Sequence, residues 1–427
     1  MPQSQFSIQN LPYGVISTDT FPPRPAMAYR DWAIDIHAYV ETYSGYFQSL
    51  PDWSTIKSTL QQQTWNAFAS LPSASRLAFR QALKKSLQFL EEHPDDDPSS
   101  KPEFLPLDSV TTHLPFDTRN YSDFYCSYEH AKNCSDIFKL QMSPNWFHLP
   151  QVYNGRTSSL AVSGTPITRP CGIFPSEPGA PPTLQPEMKL DFELEMGVWI
   201  SNPVPRGERL DISKAKDHIF GITLLNDWSA RSIQFYEMQP LGPFHSKGSL
   251  TSISPWIVPI EALNENAACP RHSKQDPEPL PHLAWKGEED KATWNINVKC
   301  VLVREGKEYT MSESNLNELH WTPLQQVTHL ASAGEGLSAG DVSGTGTISS
   351  ARTNEKGEKT GLSCIWERRC EGASLSSLPD GVEEGLLLDG DEVVMSAWVE
   401  DRKEPGTMLF GFGECRGKVL PAKNVEQ

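Results

Sequence analysis

No apolar run in this chain of 427 residues approaches the ~18 residues that a membrane-spanning helix needs. No membrane span is therefore expected. There is no CxxC pair either. The eight cysteines (Cys126, Cys134, Cys171, Cys269, Cys300, Cys364, Cys370 and Cys415) are scattered, which speaks against a zinc knuckle or a thioredoxin-like redox motif. The eleven histidines form no HExxH element. Positive charge is scarce: 37 Lys and Arg stand against 54 Asp and Glu, a formal charge of −17. Nucleic acids and anionic membranes are held by basic patches, so neither is an expected partner. Met1 to Asn10 shows no basic segment followed by an apolar one, so no secretory signal is expected. On that reading the cysteines are reduced thiols of a cytoplasmic protein. No internal repeat of solenoid type is visible.

What is present is turn chemistry. The 35 prolines and 28 glycines point to many turns and short strands, and so to a mainly β, α+β fold with no helical bundle. The length allows one large core or two. Phe6 to Thr18 and Met27 to Tyr39 read as short strands of a small β module. Two helices follow. Trp53, Ile56 and Leu60 share one stripe, and Leu83, Leu87 and Leu90 share another, with Ser73 as the expected cap. The acidic, Pro-broken stretch Glu91 to Glu103 reads as a solvated loop. A boundary near it gives two domains, 1–115 and 116–427. Near the end, LLLDGDEVVMSAWVE and GFGECRGKVLPA form two strand-like runs.

The chemistry concentrates between Lys189 and Gln234. In KLDFELEM, Leu190, Phe192, Leu194 and Met196 fall on one strand face, and Asp191, Glu193 and Glu195 on the other. Adjacent carboxylates on a half-buried strand repel one another unless a cation sits between them. The apolar run Ile219 to Leu225 then ends in Asn226-Asp227, and Arg231 and Gln234 follow at helical spacing. Glu193, Glu195 and Asp227 are thus candidates to hold one hard divalent cation, with Arg231 and Gln234 facing a substrate. The plainer alternatives stay open. The acidic face could be the solvated side of an edge strand, and Asp227 could cap the helix after it.

Ten sequence blocks in order settle more. They are YSDFY (121–125), PNWFHLP (144–150), SGTPI (163–167), DFELEM (191–196), HIFGITLLNDWSARSIQ (218–234), LGPF (241–244), ISPWIVP (253–259), KQDPEPLP (274–281), GTIS (346–349) and LLDGDEV (387–393). Together the blocks closely resemble the fumarylacetoacetase family, from NLPYGV at Asn10 to GKVLPA ending at Ala422. The resemblance implies an N-terminal SH3-like β module with helices and a C-terminal mixed β-sandwich roll, in a homodimer. It implies a Mg²⁺ or Ca²⁺ site at Asp123, Glu193, Glu195 and Asp227, with Lys247 and Thr251 beside it. Carboxylate oxygens suit such hard ions better than zinc.

The implied reaction is hydrolysis of a carbon–carbon bond in a 1,3-diketo acid, as in tyrosine and phenylalanine catabolism. His130 matches the base that activates water, although read alone it would be a helix-surface histidine. Lys247, Arg231 and Gln234 match groups that support the oxyanion and the leaving enolate. Tyr125, Lys139, Tyr153, Met238 and Thr347 match substrate-contacting positions.

Four positions depart from the family pattern. Ser363 stands before Trp366 where the family places the Glu that orients the base. Glu358 or Glu367 could replace it only with a different loop path. Lys139 replaces an arginine, Met238 replaces a tyrosine, and Asn154 replaces a histidine. An intact metal set beside altered substrate positions points to a paralogue acting on a less acidic substrate, in place of a plain tyrosine-degradation enzyme. Two alternatives follow from the changed base support. One is an enzyme of a specialised pathway that uses the enolate for decarboxylation, isomerisation or bond formation. The other is a non-catalytic binding homologue.

Overall fold

The structure, a computed structural model, describes residues 4–93, 98–376, 378–382 and 387–423. Three sheets carry it. The first is antiparallel, with strands in the order Phe104–Pro106, Trp32–Asp35, Phe21–Tyr29, Tyr13–Thr18 and Thr111–His113. Helices Trp53–Leu60 and Ser73–Glu92 pack beside it, and their predicted stripes face the core, buried except for the half-buried Trp53. Met27 to Tyr39, expected as short strands with turns, is two strand segments and then a helix. It breaks at the Arg30-Asp31 turn, and a helix starts at Ile36, capped by Asp35, whose side chain accepts from the His37 and Ala38 amides. Ser73 is not a cap. It is the first helical residue, after Pro72, whose fixed backbone suits a helix entry without a side-chain bond. The expected loop from Glu91 begins two residues later, since Glu91 and Glu92 close the helix, and residues 94–97 lie outside the described ones.

The second sheet has eight strands and holds the centre. Its main path runs Val152–Asn154, Tyr121–Phe124, Val342–Gly344, Leu194–Ile200, Ile219–Asp227, Thr251–Ile253 and Leu160–Val162. The third joins Lys307–Asn315, Asn297–Arg304, Glu392–Glu400, Met408–Leu420 and Ile167–Thr168. The two late strand-like runs are thus a paired ladder.

The central sheet is covered on both faces, which explains its burial. Met196, Val198, Ile222 and Leu224 join the cluster that includes Val298, Leu302, Met395 and Phe410 of the third sheet. Tyr121, Trp199 and Leu225 point the other way and join Tyr13, Trp65 and Phe68 of the N-terminal module. The Tyr13 ring lies 5.6 Å from Phe220. Polar contacts cross the same seam: Asn10 donates to the Gly411 carbonyl at 2.8 Å, Asn66 to that of Ala339 at 2.9 Å and Arg76 to Asn202 Oδ1 at 3.0 Å. Within the module, Trp65 Nε1 donates to the Gly14 carbonyl at 2.7 Å and Arg80 to the carbonyls of Gln9 (2.6 Å) and Asn10 (2.8 Å).

The strand with the acidic alternation is therefore neither half-buried nor at an edge. All of Leu194–Ile200 is buried between two neighbours, and a break separates it from the short Leu190–Asp191 strand. Burial on both sides raises the cost of its carboxylates well beyond that of a solvated edge.

Candidate active site

The ladder geometry gathers the carboxylates. Side chains two apart on a strand share a face. Asp123 lies two residues beyond Tyr121, Glu195 four before Trp199, and Asp227 two beyond Leu225. All three therefore project from the face that the N-terminal module covers, at its uncovered end. Parallel pairing sets Gly344 opposite Asp123, and antiparallel pairing sets Thr251 opposite Asp227. Oxygens of Asp123, Glu195 and Asp227 lie within 4.8 Å of one another, and all three residues are buried.

Three buried carboxylates in one place need positive charge. Part of it is built in. Lys247 Nζ bridges Glu193 Oε2 (2.5 Å) and Asp227 Oδ2. Tyr153 spans two of the acids, with its hydroxyl donating to Asp123 Oδ2 at 2.7 Å and Asp227 Oδ2 at 3.0 Å. Thr251 Oγ1 reaches Asp227 Oδ1 at 3.4 Å. The Gly346 amide donates to Glu195 Oε2 at 2.9 Å. Gly346 must be glycine: its φ is +76°, and a Cβ would collide with the Phe124 carbonyl.

Two oxygens, Asp123 Oδ1 and Glu195 Oε1, are buried without a hydrogen-bond partner among the described residues. A Cβ on Gly344 would sit 2.8 Å from both Asp123 Oδ1 and Glu195 Oε2, so its absence keeps that space open. Burial and the neighbouring Asp227 push the Asp123 carboxyl well above its ordinary range, and burial with Asp123 and Glu193 does the same to Glu195. A hard divalent cation fits this set. It would occupy the orphaned oxygens and relieve the repulsion.

Glu193 faces a different partner set. Besides Lys247, its Oε1 lies 2.8 Å from the Arg231 guanidinium. Burial opposes ionisation there, but Lys247 and Arg231 outweigh it and pull the carboxyl down to about 2. Arg231 is itself held by Asp191 at 2.8–2.9 Å and donates to Gln234 Oε1 at 3.0 Å. Asp191 also accepts from the Ile365 and Trp366 amides, a positioning role with no clear signal in the sequence. Asp227 does not cap the following helix, whose N-cap is Ala230.

The base stands across the cavity. Ser127 caps the helix Tyr128–Ile137, accepting from the His130 amide at 3.1 Å, and His130 is only 5% exposed. It is no surface histidine. Its Nδ1 meets Glu367 Oε2 at 2.9 Å. Glu367 is fully buried and accepts from Asn133 (2.9 Å), Ser349 (2.7 Å) and the Cys364 thiol (3.4 Å). The 3₁₀ turn Trp366–Arg369 brings this carboxylate back past Trp366. Ser363 points elsewhere, donating to the Ile348 carbonyl at 2.6 Å, and Glu358 is bound to Asn354 and Ser374. Burial would lower the imidazole, but the Cys134 sulfur and the Glu367 carboxylate hold it well above its ordinary value.

A cavity of about 470 Å³ joins the two halves. His130, Lys247, Arg231, Gln234, Tyr125, Tyr153, Met238 and Thr347 all line it, as do Asp123 and Glu193. Lys139 does not. It follows the helix end in a left-handed conformation (φ +55°) and is exposed. Sequence reasoning missed Asn133, which lies in none of the ten blocks, and Ser349, which ends the GTIS block but drew no role there; both stand behind the base.

Fold and site together define an enzyme with a carboxylate cation site facing a buried His–Glu pair, suited to water activation beside a stabilised enolate. The comparisons make the assignment specific. The description "Fumarylacetoacetase N-terminal" matches residues 9–115, and "Fumarylacetoacetate (FAA) hydrolase C-terminal" matches 119–420. The chain is 39% identical to fumarylacetoacetase of Homo sapiens over 426 residues, covering 98% of this chain and 97% of that one. It is 38% identical to fumarylacetoacetase of Arabidopsis thaliana over 428 residues, covering 98% and 96%. A fumarylacetoacetate hydrolase structure from Exiguobacterium antarcticum shares the fold at a TM-score of 0.52 and 16% identity, over 96% of this chain and 99% of that one. The chain belongs to the fumarylacetoacetase family. Among the described residues no helix is long and apolar enough to cross a membrane.

Proposed function

We propose that this chain hydrolyses the carbon–carbon bond of a 1,3-diketo acid, fumarylacetoacetate or a related acylpyruvate. The observation that carries the reading is the His130–Glu367 pair facing the carboxylate cluster across one cavity. A hard divalent cation, Mg²⁺ or Ca²⁺, held by Asp123, Glu195 and Asp227 with Glu193 beside them, would polarise the diketone oxygens.

The chain's own groups supply the rest. With Nδ1 committed to Glu367, His130 Nε2 takes a proton from water, and Glu367 stabilises the imidazolium. Water attacks the carbonyl next to the bond that breaks. Lys247, Arg231 and Gln234 stabilise the oxyanion and then the enolate, and His130 returns its proton to the leaving carbon. Tyr125, Tyr153 and Thr347 orient the substrate. Binding of water and cleavage of one carbon–carbon bond yield one carboxylic acid and one ketone.

Non-hydrolytic enolate chemistry drew its support from a base without a carboxylate, and Glu367 removes that support. A homodimer and a cytoplasmic setting are part of this reading, as the family resemblance implies; a division at residue 115 is supported by the two matched segments, and a place in tyrosine and phenylalanine catabolism by the fumarylacetoacetase relatives. The test follows loss of the diketone-enol absorbance of fumarylacetoacetate and simple acylpyruvates, with Mg²⁺ and with chelator, in wild type and His130→Ala. Rapid loss that requires both metal and His130 is expected. No loss with any diketo acid, in protein that still binds metal, sinks the reading.

A further inference from the structure

The cavity is polar at its inner end and mostly apolar at its mouth, where the exposed Gln141 is a neutral polar group beside Leu140. Phe138, Leu140, Phe235, Met238 and Trp366 line the outer part. The three rings touch: Phe235 and Trp366 have centroids 4.5 Å apart, Phe138 and Phe235 5.4 Å, and Phe138 and Trp366 5.7 Å. These apolar side chains are also conspicuously wet. Phe138 is 43% exposed, Leu140 67% and Phe235 37%, all around one opening. A contiguous exposed apolar patch at the mouth of a polar site calls for a ligand to cover it.

Charge supports the same reading. Among the described residues three lining side chains can carry positive charge, and each already has a buried carboxylate; Arg156 lines the adjoining cavity and stacks on Phe244. His130 has Glu367, Arg231 has Asp191 and Glu193, and Lys247 has Glu193 and Asp227. Lys139 stands outside the lining, and Arg369 stacks its guanidinium on Trp366 at 4.2 Å without joining the lining. A second carboxylate on the substrate would leave water for a wall of rings with no lining cation to receive it.

We propose that this outer wall is a subsite for a planar apolar arm, so that the preferred substrate is a 2,4-dioxo acid bearing an aryl group in place of a second carboxylate. The assignment rests on the diketo-acid reading above. The dioxo-acid head reaches the polar end, and the aryl arm stacks against Phe235 and Trp366.

The test uses the full chain with Mg²⁺ and three 2,4-dioxo acids that differ only in the arm: methyl, phenyl, and an unsaturated carboxylate. Turnover is read as kcat/KM from loss of enol absorbance. Affinity is read separately, by calorimetric titration of the Mg²⁺-loaded His130→Ala protein. The phenyl compound is expected to exceed the carboxylate compound by at least about tenfold in both readouts, the scale of discrimination that an apolar pocket offers. Phe235→Ala should cut the phenyl-to-methyl ratio by about tenfold, and Phe235→Lys should shift preference toward the carboxylate arm. Both changes fall on a partly exposed residue and leave the core untouched.

A carboxylate preference in both readouts overturns the subsite while the hydrolase reading stands. So does a phenyl-to-methyl ratio indifferent to Phe235. Tight phenyl binding that depends on Phe235, with no cleavage of any compound, upholds the subsite and sinks the hydrolase reading instead.

Discussion

Glu367→Gln is the sharpest probe of the base. The amide matches the carboxylate in shape but has one acceptor and one donor end. In the wild type the two oxygens receive four groups: His130 at 2.9 Å, Asn133 at 2.9 Å, Ser349 at 2.7 Å and Cys364 at 3.4 Å. If the amide oxygen keeps Asn133, its NH₂ faces His130 Nδ1, which must then accept. The imidazole flips to the tautomer with its proton on Nε2, the nitrogen that should take a proton from water. Losing a charge-assisted bond to a buried ionised group costs about 1.5–3 kcal/mol. At about 1.4 kcal/mol per tenfold this gives a factor of about 10 to 150 in kcat. The wrong tautomer takes the loss toward ~10⁴, as in the Ser-His-Asp case.

The pH profile carries a second signature. A base must be neutral to act, so a raised imidazole pKa places the acid limb of kcat/KM above the ordinary ~6.5. Removing the Glu367 charge should move that limb downward. The assay is steady-state enol loss at saturating Mg²⁺ across pH, with thermal unfolding to confirm an intact fold. A kcat within threefold of wild type, or an unmoved limb, refutes the proposal that Glu367 orients the base.

Further outcomes follow from the same geometry. Cys134→Ala should also lower the acid limb, because the Cys134 sulfur lies 3.8–3.9 Å from the His130 ring nitrogens and helps hold the imidazole up; the pH profile of kcat/KM checks it. Asp227→Asn should remove the stabilisation by Mg²⁺ or Ca²⁺ that wild type shows, about 2.7 kcal/mol at a hundredfold excess over Kd, and differential scanning with and without chelator measures it. Gly346→Ala should cost at least about 1–3 kcal/mol of stability, since the backbone is left-handed there and a methyl meets the Phe124 carbonyl; the midpoint of denaturant unfolding reports it. Arg80→Ala should destabilise by about 2–4 kcal/mol by stripping the Gln9 and Asn10 carbonyls of their donor, with kcat kept in the folded fraction.

Much of the inner site was legible because strand periodicity is a rigid rule. KLDFELEM announces carboxylates on one face, and Asp227 ends an apolar run at the matching depth. That Glu193 turns to Lys247 and Arg231 while Glu195 joins Asp123 and Asp227 was not legible. A strand break after Asp191 separates their surroundings, and alternation alone carries no break. Glu367 was legible only as one of two stand-ins for Ser363, for a related reason. A short 3₁₀ turn has no hydrophobic period, so nothing in the letters shows Trp366–Arg369 folding a later residue into an earlier one's place. Lys139 stands outside the cavity lining because a side chain's reach depends on its backbone, and this residue is left-handed at a helix end. Likewise Ile36 to Tyr39 reads as strand from its branched and aromatic residues, yet the Asp35 cap makes it helix.

The ladder that spaces the carboxylates also divides the freedom to change. Asp123, Glu195 and Asp227 are fixed by registers running through four adjoining strands, with Val342–Gly344 between the Asp123 and Glu195 strands, beneath a packed aromatic seam. Slipping one strand by a residue would turn its whole set of side chains to the opposite face. The inner end therefore has two settings, assembled or lost. Phe138, Phe235, Met238 and Trp366 hang from two helical ends and a short turn, and each can be exchanged with little strain on the sheet. Such a molecule is built like a lathe with one fixed chuck and a tool rest that slides. Its lineage can acquire new substrates by trading rim residues, while every trade is made in front of the same unaltered chemistry.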